Sequence, residues 1–302
     1  MNAHVGEGCG LKLCRFEVRG EQRIGILEDN SVLDLTGSQC RTFSDIDTIL
    51  SEAKEENMSL RGFIEKHAKN AQRLNLEECV LRIPLVPDEV WGAGVTYLRS
   101  RDAREDETQS KGLYDHVYSA ERPEIFLKGS GKRCVGPGEP IGIRGDSRWS
   151  VPEPELALVL GSDASVIGYT IANDVSARDI EGENPLYLPQ AKIFQHCCAI
   201  GPVISLQDEI PNPHSLQIEM RILRVGKTVF EGQTSTSRMK RKIPELIRFL
   251  KADNVFFGCT VFMTGTGIVP PDDFTLKEGD VVEIQIEKIG MLENNVQKVS
   301  SV

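Results

Sequence analysis

Little in this sequence points toward membranes, nucleic acids or the extracellular space. No apolar run approaches the length that spans a bilayer, so no transmembrane helix and no membrane partner are expected. Positive charge is not in excess: 35 Lys and Arg stand against 45 Asp and Glu, a net charge of −10 with a pI near 5.2. Nucleic-acid affinity rests on neutralising phosphates, and this balance argues against such a partner. The segment MNAHVGEGCG has neither a basic n-region nor an apolar h-region, so no secretory signal is expected. The eight cysteines are scattered, and no CxxC pair exists to build a zinc ribbon. Reduced thiols in a cytoplasmic protein are the expectation.

Several signatures are missing as well. Gly92-Ala93-Gly94 lacks the third glycine of a dinucleotide fingerprint, and Gly129-Ser130-Gly131-Lys132 lacks the spacing and trailing Ser or Thr of a P-loop. No GxSxG elbow offers a hydrolase serine. Internal repeats and low-complexity tracts are absent too. What is present is ample core material, 40% hydrophobic residues in a chain of 302. At a prior of ~150 residues per domain, that length suggests two domains or one large one.

Residues 11–35 read as a β-meander, with turns at Arg19-Gly20-Glu21 and Glu28-Asp29-Asn30. Two helices follow. One carries Phe43, Ile46, Ile49 and Leu50 with Ser44 near its cap; the other carries Leu60, Phe63, Ile64, His67 and Ala68. His67 falls on the apolar stripe and reads as a packed histidine rather than a ligand. Residues 1–84 show no chemistry and are expected to form an N-terminal α/β domain, with 85–302 as the catalytic one.

Past the connector, Val90 to Tyr97 is a Gly-rich apolar strand, and Arg99 to Ser119 turns polar and helical. That stretch is either a lid over a site or a surface helix. A short strand, Arg122 to Lys128, precedes the hairpin from Val151 to Asp174 on which the chemistry rests. Leu156, Leu158 and Leu160 share one face of its first strand; Glu153, Glu155, Ala157 and Val159 share the other. The return strand brings Asp174 back beside the Glu pair. Alone, Glu-x-Glu is more often the solvated face of a strand. Three converging carboxylates, however, repel unless a cation neutralises them, and hard oxygen donors suit Mg²⁺, Mn²⁺ or Ca²⁺ better than zinc. Strands at 216–225, 255–263 and a last one at 280–287, with a helix at 244–251, complete the pattern.

The order of ExE on a strand, an Asp after the hairpin, SARD, a loop lysine, TGTG and LKEGDVVEI resembles the fumarylacetoacetate hydrolase superfamily over Val90 to Val296. RPEIFLK, VPEPELALVL, GYTIANDVSARD and ENPLYLPQAK resemble its 2-keto-3-deoxy-D-arabinonate dehydratase branch. The resemblance implies an α+β fold: a mixed β-roll or sandwich catalytic domain with a small α/β N-terminal domain. It also implies a homo-oligomer, a dimer or tetramer. By the matching motifs, Glu153, Glu155 and Asp174 correspond to the metal ligands, with Mg²⁺ expected and Mn²⁺ or Ca²⁺ as substitutes. Lys192 and Glu124 match catalytic positions, and Thr266, Tyr97, Ser100 and Arg101 are expected at a small anionic 2-oxo acid substrate.

Two departures stand out. The lid histidine of C–C-cleaving relatives is missing from Leu98, Arg99, Ser100, Arg101 and Asp102, and Glu181 stands where a Gln is common. The implied reaction is dehydration of a 2-keto-3-deoxy pentonate, 2-dehydro-3-deoxy-D-arabinonate, to 2,5-dioxopentanoate. A hydrolase or decarboxylase of acylpyruvate, fumarylacetoacetate-like or oxaloacetate substrates is the alternative, with His116 or His196 as a relocated base. Lys192 beside a divalent ion is expected to have a lowered pKa.

Overall fold

The computed structural model describes residues 10–37, 42–107 and 112–299. The leader reading, Cys9, Cys40 and positions 108–111 of the polar stretch lie outside the described residues. Alternating runs in the first third form the expected meander, Lys12–Val18, Glu21–Glu28 and Ser31–Asp34. Helices Ile46–Glu55 and Leu60–Ala68 follow and bury Ile46, Ile49, Phe63 and Ile64. The first helix is capped by Asp45, the residue next to Ser44; the Asp45 carboxylate accepts from the Thr48 amide at 2.7 Å. His67 packs between Phe43 and Phe63, with ring centroids 5.4 and 4.6 Å away.

Among the described residues, one mixed sheet of twelve strands dominates. Its main path runs Gln72–Asn75, Ser31–Asp34, Glu21–Glu28, Lys12–Val18, Cys198–Leu206, Val166–Asp174, Pro154–Leu160, Thr260–Met263, Glu89–Gly94 and Glu124–Gly129. A second sheet of five strands packs beside it: Lys227–Ser235, Gln217–Arg224, Val281–Ile286, Gly290–Lys298 and Ile141–Ile143. The mixed α+β architecture is the one the resemblance implied. The hydrogen bonding does not stop at residue 84, since Lys12 and Leu13 lie in register with Ser205 and Ile204.

Two expectations need correction, and one strand went unread. The strand at 281–286 is not the last, because a turn at residues 287–289, with Lys288 at φ +67°, doubles the chain back as Gly290–Lys298. The strand expected from 255 begins only at Thr260, and the bend before it leaves Val255 and Phe257 exposed. Cys198–Leu206, a continuous apolar run with no alternation to mark it, is a central strand buried along its whole length.

The carboxylate hairpin sits in the middle of the large sheet. Pro154–Leu160 pairs with Val166–Asp174 on one side and with Thr260–Met263 on the other. Every residue of Pro154–Leu160 is buried, so neither of its faces is solvated. Burying Leu156, Leu158 and Leu160 contributes about 1.5–3 kcal/mol each, and this apolar support carries the cost of the acids beside them. No described helix is long and apolar enough to cross a membrane.

Candidate active site

At its Glu153 end the hairpin closes on itself: the Asp174 amide donates to the Glu153 carbonyl at 2.9 Å, and the Glu153 amide donates to Asn173 Oδ1 at 3.1 Å. These two bonds bring acids 21 residues apart in sequence to one point. Glu153, Glu155 and Asp174 are all buried, and one carboxylate oxygen from each lies within 4.8 Å of the others. The Glu155 carboxylate also accepts from the Gly265 amide. Gly265, at φ +92°, is required there: a Cβ would fall 2.1 Å from Thr96 Oγ1. Thr96 in turn donates to the Thr264 carbonyl at 2.6 Å, which ties the TGTG loop to the end of the Gly-rich strand.

Cations surround this cluster. Lys192 Nζ donates to Glu153 Oε2 and Asp174 Oδ2, both at 2.9 Å, and to Ser176 Oγ at 2.6 Å. On the far side of Asp174, the fully buried Lys128 sits 2.5 Å from Oδ1 and donates to the Val175 carbonyl at 2.8 Å. The second oxygen of Glu153 meets Arg104 Nη2 at 2.6 Å and Arg178 Nη2 at 3.3 Å. Arg104 Nε also donates to Glu181 Oε1 at 3.0 Å. In the SARD segment, then, Ser176 supports the lysine and Arg178 the first ligand candidate. Asp179 takes Ser147 Oγ at 2.6 Å and the Arg148 amide at 2.8 Å, which fixes the neighbouring loop.

Burial would raise the Glu153 carboxyl, but Lys192 and Arg104 outweigh it and hold its pKa at about 2. At Glu155 burial and the acidic neighbours Asp174 and Glu153 outweigh Lys192 and the Gly265 amide and push the carboxyl well up. The lowering expected at Lys192 belongs to a site that holds a divalent ion; among the carboxylates alone the balance runs the other way. Burial disfavours its charge, yet Asp174 and then Glu153 outweigh burial and raise its pKa. Between these carboxylates it is a firm cation; lowering it requires a competing positive charge in their midst. Glu124, half-buried, is pushed up to about 7, first by desolvation and then by Glu181.

Glu124, Glu153, Glu155, Glu181, Lys192, Arg104, Ser100 and Thr266 line one small cavity. The helix Leu98–Glu107 lies over it and inserts Arg104, leaving about 20 Å³, room for about one water. Two of the expected substrate residues are elsewhere. Tyr97 is buried beside the loop without lining the cavity, and Arg101 turns outward to Asp102 and Asp115. Ser100 does line it, although its hydroxyl is engaged by the Tyr97 carbonyl at 2.9 Å. His116 is exposed, and neither it nor His196 lines the cavity. The sequence reading missed Lys128, which looked like a strand-end charge, and the site role of Glu181. Arg104, on the same polar helical stretch as Arg101, was not among the residues expected at the site.

This is a class of protein in which a β-sheet core presents three buried carboxylates and a buried lysine beneath a covering helix. The donor set is all oxygen and mutually repulsive, which fits a hard divalent cation. A profile of the family described as "Fumarylacetoacetate (FAA) hydrolase C-terminal" matches residues 90–297, and the chain belongs to that family. It is 42% identical over 287 residues to a protein of Haloferax volcanii described as "Probable 2-keto-3-deoxyxylonate dehydratase", covering 94% of this chain and 99% of that protein. A Saccharolobus solfataricus protein, 2-dehydro-3-deoxy-D-arabinonate dehydratase, is 52% identical over 219 residues, 71% of this chain and 74% of that one. Among solved structures, 2-keto-3-deoxy-D-arabinonate dehydratase complexed with magnesium and 2,5-dioxopentanoate superposes with a TM-score of 0.80 at 41% identity. That match covers 96% of this chain and all of that one.

Proposed function

We propose that this protein is a Mg²⁺-dependent hydro-lyase that converts 2-dehydro-3-deoxy-D-arabinonate to 2,5-dioxopentanoate and water. The observation that carries this reading is the meeting of three buried carboxylates with Lys192 and a carboxyl, Glu124, poised near neutrality, in a chain that aligns end to end with dehydratases. Glu153, Glu155 and Asp174 would hold the ion, with Mn²⁺ or Ca²⁺ as possible substitutes. When bound, it supplies Lewis acidity to the 2-oxo carboxylate of the substrate, a contribution worth several kcal/mol.

Lys192 and Glu124 form the acid–base pair. With the carboxylates engaged elsewhere, Lys192 loses the partners that keep it charged and its amine can take a proton from C3. Glu124, protonated in a good fraction of molecules near pH 7, gives a proton to the departing C4 hydroxyl. Loss of water leaves a C3=C4 double bond. Moving one proton from C5 to C3 then gives a C4=C5 enol, and transfer of its hydroxyl proton to C4 yields the C5 aldehyde, so the pair acts more than once. Thr266, Ser100, Tyr97 and Arg101 are assigned to the substrate; for the last two, the lid must rearrange as ligand enters. The same reading makes the protein a cytoplasmic homo-oligomer.

The test offers the Mg²⁺-loaded protein 2-dehydro-3-deoxy-D-arabinonate and an acylpyruvate side by side. A five-carbon aldehyde from the first and no pyruvate from the second is the expected result. Pyruvate release from the acylpyruvate alone would overturn the lyase reading in favour of a hydrolase.

A further inference from the structure

One buried acceptor at the site has no donor. Glu181 is 5% exposed, lines the cavity and is fixed through Oε1 by Arg104 Nε, yet its Oε2 accepts no hydrogen bond. It sits on the short helix Arg178–Glu183, whose first residue is locked by a 2.7 Å bond from the Arg178 amide to the Trp149 carbonyl. Glu181 therefore belongs to the wall of the site rather than to the lid. A buried carboxylate oxygen left without a partner is costly, and a ligand that brings a donor recovers that cost.

We propose that Glu181 Oε2 accepts a hydrogen bond from the terminal C5 hydroxyl of the substrate and thereby selects hydroxylated 2-oxo acids over plain ones. The inference rests on the function proposed above and adds a specificity-determining residue to it. The hydroxyl in question is the one that stays. A carboxylate that accepts from a hydroxyl builds negative charge on its oxygen and opposes its departure, so Glu181 suits C5. The C4 hydroxyl must instead meet the proton donor, Glu124. A site built around an acceptor penalises an analogue that lacks the donor, because the acceptor is then left unpaired.

The test uses two ligands that differ by one hydroxyl and have no C4 hydroxyl to lose, 5-hydroxy-2-oxopentanoate and 2-oxopentanoate. Each is titrated calorimetrically into the Mg²⁺-loaded protein. Wild type is expected to bind the hydroxylated acid at least about tenfold more tightly. Glu181→Leu should erase that preference by weakening the hydroxylated ligand alone. Glu181→Gln, which keeps the volume and an oxygen for Arg104, should reduce it and guards against misfolding of the leucine variant. Equal affinities in wild type, as expected if Oε2 merely holds a water, would overturn the proposal. So would a Glu181→Leu protein that loses affinity for both ligands alike, because that is the mark of a structural role through Arg104. Failure of wild type to bind either acid would instead strike the function proposed above and take this inference with it.

Discussion

At the scale of single residues, the site is a problem in charge. Acids and bases are packed so closely that each sets the behaviour of the next. Asp174 lies between two lysines, and Glu153 between Lys192 and two arginines. Asp174→Ala should therefore abolish Mg²⁺ binding as measured by calorimetry, and EDTA should inactivate wild type until Mg²⁺ or Mn²⁺ is restored. Full turnover in chelated protein would refute the assignment. Lys192→Met and Glu124→Gln should each lower kcat by at least about 10²-fold, the usual worth of a general acid or base. His116→Asn and His196→Asn should leave it nearly unchanged. Glu124 also predicts a pH dependence. Burial, then Glu181, raises its pKa from 4.5 to about 7, so the folded protein holds this proton more tightly than the unfolded chain does. The stability it contributes is present below pH 4.5 and lost as pH rises through about 7. As a proton donor it should give kcat a descending limb near pH 7, and Glu124→Gln should remove that limb along with most of the activity. An unchanged limb in the variant would assign it to another group.

At the scale of elements, glycine placement and one arginine organise the site. Gly94 lies in register with Glu124, and a Cβ on it would fall 2.1 Å from Glu124 Oε2. Gly92 stands in the same way under the ring of Phe126. The Gly-x-Gly of this strand makes room for the side chains of its neighbour, a use of glycine unrelated to nucleotide phosphates. Gly94→Ala should displace the carboxylate and lower kcat about tenfold while changing stability by less than about 1 kcal/mol, because the clash falls on the end of a flexible side chain. A comparable loss of stability would show that the backbone moved. The lid helix Leu98–Glu107 reaches the site through Arg104, its buried ion pairs running to Glu153 and Glu181. Arg104→Met should raise proteolytic cleavage within this helix several-fold, and more than elsewhere in the chain, in the absence of ligand; the melting temperature should fall as well, because Glu153 and Glu181 each lose a buried partner. Equal cleavage of the two proteins would leave a surface helix as the better description.

At the scale of the whole molecule, chemistry and hydrogen bonding divide the chain differently. Every residue assigned to the site lies after residue 85, and we propose 1–84 as an N-terminal domain beside a metal-binding catalytic domain at 85–302. Yet Lys12–Val18 adds to the edge of Cys198–Leu206, and Val80–Arg82 pairs back onto it. The full chain should melt in a single calorimetric transition, with the fragment 85–302 poorly soluble because its strand edge is uncovered. Two resolved transitions would show that the domains fold independently. The family motifs, the strand-forming alternation and the three carboxylates could be read from the sequence alone, because residue type and short-range spacing dictate them. Spacing cannot say what a hairpin end packs against. Whether Glu153 and Glu155 face solvent, whether Arg101 or Arg104 reaches the site, and that Lys128 lies buried against Asp174 were decided by tertiary packing. Its twelve-stranded sheet buries both faces of the ligand strand and draws to one point charges from segments as much as 88 residues apart, Arg104 and Lys192. The carboxylates among them attract these cations from any part of the chain the fold brings near, and the fold alone sets which ones arrive.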